Sequence, residues 1–80
     1  MKRADALRLK PGMGITFGDH KYTARCSQVW QGKVLHVTPN GGIKVTVTDK
    51  RPWYGPDEYR QRFGNVERWV PYTHVWSVDR

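Results

Sequence analysis

Gly32-Lys33-Val34-Leu35-His36-Val37-Thr38-Pro39-Asn40-Gly41-Gly42-Ile43-Lys44-Val45-Thr46-Val47-Thr48 is the stretch that decides the fold of this 80-residue chain. Two runs rich in β-branched residues flank a Pro-Asn-Gly-Gly break. Valine, isoleucine and threonine suit a pleated, half-buried surface, and glycine and asparagine accept the positive φ that tight hairpin turns demand. The stretch therefore predicts a β-hairpin. Its second arm alternates, with Ile43, Val45 and Val47 on one side and Lys44, Thr46 and Thr48 on the other. One face of the hairpin is expected to be buried and the opposite face wet and basic.

Upstream, Leu9-Lys10-Pro11-Gly12-Met13-Gly14-Ile15-Thr16-Phe17 combines a Pro-Gly turn with a strand in which Met13, Ile15 and Phe17 alternate. Gly18-Asp19-His20 is a second turn signal. Lys21 to Trp30 reads as a strand or an irregular excursion, with Tyr22, Ala24, Cys26 and Val29 inward. Downstream, residues 49–68 read as a long loop, because Pro52 and Pro56 remove ladder donors. Within it, Pro56 to Gly64 carries the signals of one or two helical turns: proline first, Asp57 and Glu58 near the positive end, Arg60 and Arg62 near the negative end. Val66 to Val70, a Pro71-Tyr72-Thr73-His74 turn and Val75 to Val78 complete the chain. Trp69 and Trp76 alternate with the apolar positions of these closing strands, so at least one is expected in the core. Residues 1–8 form a basic N-terminal arm, either a short helical turn or a frayed tail. The expected architecture is all-β: about five short strands in a small barrel or rolled sheet over residues 9–80, with the 49–68 loop holding a short helix.

Three patterns resemble one superfamily of small barrels. Gly32-Lys33-Val34-Leu35-His36-Val37, followed through a turn by Ile43-Lys44-Val45-Thr46-Val47, resembles the KOW module of ribosomal proteins and transcription elongation factors, in which a glycine opens a strand that hairpins into an alternating partner. Trp69-Val70-Pro71-Tyr72-Thr73-His74-Val75 resembles the Src-homology-3 (SH3) ending, where a strand closes on a proline, makes a single 3₁₀ turn and enters the last short strand. Leu9 to Phe17 is similar to the first core strand of such barrels. The resemblance covers about half the chain and implies an SH3-like, KOW-like barrel. The segment between Phe17 and Trp30 is basic (Lys21, Arg25) rather than acidic, and no adjacent tryptophan pair is present. Recognition of proline-rich peptides therefore does not follow from it.

Fourteen Lys and Arg stand against seven Asp and Glu, a formal charge of +7 and a pI near 10.0. Such a balance serves either solubility alone or binding to polyanions. A single cysteine, Cys26, excludes an internal disulfide framework. No stretch approaches the roughly 20 apolar residues of a membrane helix and none reads as a signal peptide, so the expectation is a soluble, reduced, cytoplasmic protein with no membrane partner.

The residues expected to bind are Lys33 and Lys44 on the hairpin, whose register could give them a common polar face, and Lys50, Arg51, Trp53, Tyr54, Arg60 and Arg62 in the 49–68 segment. Cations there would neutralise phosphates, and the flat rings of Trp53 and Tyr54 would stack on bases or sugars. Residues 49–68 carry five basic and four acidic side chains, a balance of only +1, so internal pairing competes with contact, and Trp53 could equally plug the core. Lys2, Arg3, Arg8 and Lys10, opposed by Asp5 alone, add a third basic source. Cys26, His20, His36 and His74 lack metal-ligand spacing, and no metal or cofactor is expected. Nor is an enzyme: Ser27 and Ser77 lack a nucleophile elbow, and Asp57 and Glu58 diverge by about 100° on a helix. His74 with Tyr72 and Glu67 is the one cluster with catalytic residue types. The chain thus reads as a small nucleic-acid-binding protein of limited sequence specificity. The alternative is a non-enzymatic interaction module or inhibitor, of a kind found in phages and mobile elements, docking on an acidic protein surface.

Overall fold

The computed structural model describes residues 1–18, 28–52 and 57–79. It is all-β apart from short helical turns: α1 (Arg3–Ala6), β1 (Gly14–Phe17), β2 (Gln28–Val37), β3 (Gly42–Pro52), the 3₁₀ turn η1 (Asp57–Tyr59), β4 (Gln61–Pro71), the 3₁₀ turn η2 (Tyr72–His74) and β5 (Val75–Asp79). The strands form one antiparallel sheet in the order β4-β3-β2-β1-β5.

The hairpin forms where the sequence places it. Thr38 to Gly41 make the turn, closed by Gly41 N–H donating to the Thr38 carbonyl at 3.0 Å. Pro39 takes the second position, which its fixed φ suits, and Gly41 the last, at φ +91°. The Thr38 hydroxyl accepts from Gly42 N–H at 3.0 Å, which satisfies the donor just beyond the turn. Ile43, Val45 and Val47 are fully buried. They meet Ile15 and Phe17 from β1, Val34 from β2, Val70 from β4 and Val75 from β5 in one core. β4 and β5 lie at opposite ends of the strand order yet share this core across a three-residue turn, so the sheet is rolled upon itself. Ala6 and Leu9 join the same core and tie the N-terminal segment to the sheet.

Three expectations are corrected. Among its described residues the 49–68 segment is mostly strand, not loop: β3 runs on to Pro52, β4 begins at Gln61, and in place of the expected one or two helical turns Asp57–Tyr59 form a 3₁₀ turn. Pro52 is tolerated because it stands at the very end of β3. Secondly, Gly32 does not open a strand. It lies inside β2, at a register shift opposite β3, where a Cβ would stand 2.7 Å from the Thr46 carbonyl oxygen. Thirdly, neither Trp69 nor Trp76 is in the core. Val70 and Val75 take the inward positions, which leaves Trp69 52% exposed and Trp76 half-buried. The expected inward positions Tyr22, Ala24 and Cys26 lie outside the described residues, whereas Val29 is buried. Among the described residues, no helix is long and apolar enough to cross a membrane.

Candidate functional site

Cross-strand partners point to the same side of a sheet, so the register sorts the basic residues by face. On the outer face of β2-β3-β4, His36, Lys44 and Trp69 form one row across three strands, and Lys33, Thr46 and Glu67 form the next. Lys33 and Lys44 therefore share a face. The following row is Gln31, Asp49 and Arg62, and the one beyond pairs Val29 with Arg51.

A bulge sets the phase of the last two rows. The β3 register shifts between Val47 and Asp49 against β4, and the β2 register shifts at the same level, so Thr48 is passed over. Outward positions change from Lys44 and Thr46 to Asp49 and Arg51, and Lys50 turns to the inner side. There its ammonium lies 5.0 Å from the centroid of Trp30, its partner in register on β2. Trp30 stacks between Phe17 at 6.3 Å and Phe63 at 6.1 Å, and Arg68 covers it at 4.9 Å. Lys50 is thus separated from Lys33 and Lys44 and belongs to the aromatic plug at one end of the core.

Arg60 is also committed. Its Nη1 lies 3.2 Å from Asp49 Oδ2, with the carboxylate side chain 9% exposed. The Thr48 hydroxyl donates to Asp49 Oδ1 at 3.1 Å. The Gln31 amide, with its nitrogen toward Asp49, reaches both carboxylate oxygens at 3.0 Å. Such a carboxylate is satisfied from β2, β3 and the start of β4 together, which is what a buried charge requires. Lys44 pairs with Glu67 at 3.3 Å, but the two side chains are 38% and 51% exposed. Exposed pairs of this kind are worth little, and a phosphate can replace the carboxylate. Among the described residues, Lys33 and Arg62 form no ion pair. Arg51 lines a cleft of about 170 Å³ with Thr16, Val29 and Trp76, and its Nε is buried without a hydrogen-bond partner among the described residues.

Among the described residues the outer face thus carries five cations, Lys33, Lys44, Arg51, Arg60 and Arg62, against the two carboxylates Asp49 and Glu67. Its exposed aromatic is Trp69, one of the two tryptophans of which the sequence pattern expects at least one in the core. Lys44 Nζ lies 5.8 Å from that ring's centroid, and His36 meets the ring edge-on at 6.5 Å. The signal that could have singled out Trp69 is its place between Arg68 and Val70: with Val70 inward, its neighbour must face out. Trp53 and Tyr54, the rings expected to stack, lie outside the described residues. Glu67 faces Lys44 on this surface rather than joining His74 in a catalytic pair. Among the described residues, no group of three or more His, Cys, Asp or Glu could hold a metal ion; His20 and Cys26 fall outside them. No protein-family model matches the chain, and neither a curated protein nor a solved structure matches it.

Proposed function

We propose that this protein binds nucleic acid through the outer face of β2-β3-β4, with phosphates on Lys33, Lys44, Arg51 and Arg62 and little direct reading of sequence. The observation that carries the reading is the register, which gathers these four cations on one face beside the exposed ring of Trp69. Cations spaced along strands follow a phosphate backbone, and an aromatic among them offers a stacking surface. The rolled sheet, with a 3₁₀ turn between β4 and β5, is also what supports reading the fold as an SH3-like barrel.

A salt series tests the proposal. Each neutralised phosphate contributes about −0.9 to the slope of log K against log[salt] on duplex DNA and about −0.7 on a single strand. The double variant Lys33→Ala/Arg62→Ala is expected to flatten the slope by nearly two contacts while melting like the parent, since both side chains are exposed. Lys50→Ala, on the inner side, is expected to leave the slope unchanged. If the Lys50 variant changes the slope and the double variant does not, the binding surface lies elsewhere.

A second reading, docking on an acidic protein surface, draws on the same cations and on the exposed Leu35 and Val66. Tryptophan and arginine are frequent interface anchors. Absence of nucleic-acid binding at low salt would favour it.

A further inference from the structure

The basic face ends in a groove of about 290 Å³ beside the β2–β3 turn, lined by Trp69, Pro71 and Tyr72 together with Asn40 and Gly42. We infer that this groove is a subsite for one unpaired nucleobase, so that the protein selects single-stranded over duplex nucleic acid. The inference rests on the nucleic-acid reading above.

The groove's size is the first argument. It falls just below the ~300–1,000 Å³ of small-molecule sites, room for one planar ring system and little more. Its walls are the second. Trp69 is 52% exposed and its ring borders Gly42, where a Cβ would stand 3.8 Å from Cε3, in ordinary contact. Tyr72 is held against the turn: its N–H donates to the Gly41 carbonyl at 3.1 Å, and its ring lies where a Gly41 side chain would otherwise stand. The lining is mostly apolar, as a base face requires. Asn40 supplies an amide donor and a carbonyl acceptor, the pair that can read a Watson–Crick edge.

Charge supplies the third argument. Lys44 lies beside Trp69, and Lys33 stands one row further along the face. A strand whose base enters the groove would therefore run its phosphates onto these cations. A basic peptide would meet like charge there. A duplex keeps its bases paired and stacked, and so can reach the cations but cannot present a base face to the groove.

The test compares a pyrimidine single strand of about fifteen nucleotides, long enough for one small domain, with the duplex of the same sequence at one salt concentration. The parent is expected to prefer the single strand. Trp69→Ala is expected to weaken single-strand binding by about 5- to 150-fold, the loss of one stacked base, and duplex binding by less, with the single-strand salt slope unchanged. Trp69→Phe is expected to restore most of the loss, because the ring and not the indole nitrogen provides the surface. A strand carrying 2-aminopurine gives a readout on the unaltered protein: its fluorescence should be quenched on binding the parent and not on binding Trp69→Ala. Equal affinity for both strands, with Trp69→Ala silent and no quenching, would overturn the subsite and leave the phosphate-binding face standing. Binding to neither nucleic acid would overturn both.

Discussion

Two glycines, Gly32 on β2 and Gly64 on β4, make opposite demands. A methyl group at Gly32 would lie 2.7 Å from the Thr46 carbonyl oxygen, which is backbone in the paired strand and cannot swing aside. Gly32→Ala is expected to cost about 1–3 kcal/mol, the range for overpacking a tight site, and to lower the melting temperature accordingly. At Gly64 an added Cβ meets nothing within 4 Å. Gly64→Ala is expected to be neutral or to stabilise by up to about 1 kcal/mol, through the reduced freedom of the unfolded chain. Thermal melts of the two variants decide the matter, and equal behaviour would contradict the close approach at Gly32. The sequence announces a glycine at position 32 but not why it is there. The reason lies in a carbonyl fourteen residues away in the chain, which only the strand register brings close. The expectation that Trp69 or Trp76 fills the core fails for a related cause: their bulk and apolarity favour burial, whereas the phase of β4 and β5 gives the inward places to Val70 and Val75.

At the scale of elements, the hairpin is the part most legible from composition. Ile43, Val45 and Val47 alternate with polar neighbours, and all three are buried. The bulge at Thr48 is not legible, because an extra residue leaves no mark in a pattern of period two until its partner strands are known. That single irregularity sends Lys50 to the inner side and Arg51 to the outer, and so divides a basic cluster that looks continuous in sequence. It also positions Asp49 among Thr48, Gln31 and Arg60, joining β2, β3 and the start of β4. Removing this carboxylate takes away a charged hydrogen-bond acceptor that is 6% exposed. Asp49→Ala is accordingly expected to destabilise by about 1–3 kcal/mol, read as a lower denaturant midpoint. A variant with an unchanged midpoint would mean that the three-strand junction contributes nothing. Prolines and charges usually mark loops, which is why residues 49–68 look like one; the chain instead continues as strand to Pro52 and is strand again from Gln61.

At the scale of the whole molecule, rolling the sheet places all five strands around one small core, and the outer face of β2-β3-β4 presents its cations to solvent. β4, an edge strand, carries Arg68 inward over Phe17 and Trp30, an arrangement that discourages pairing with another chain's edge. The net charge of +7 announces a preference for polyanions but cannot say which face expresses it. Convergence of Lys33, Lys44, Arg51 and Arg62 comes from register alone. The most direct measurement is a titration of the isotopically labelled protein with a short pyrimidine single strand at low salt, following backbone amides and tryptophan indoles by nuclear magnetic resonance. The account predicts that the largest shifts fall on Lys33, His36, Lys44, Arg62 and Trp69, including the Trp69 indole, and that the residues of α1 and β5 stay in place. Shifts concentrated on α1 and β5, or none at all at millimolar strand, would contradict it.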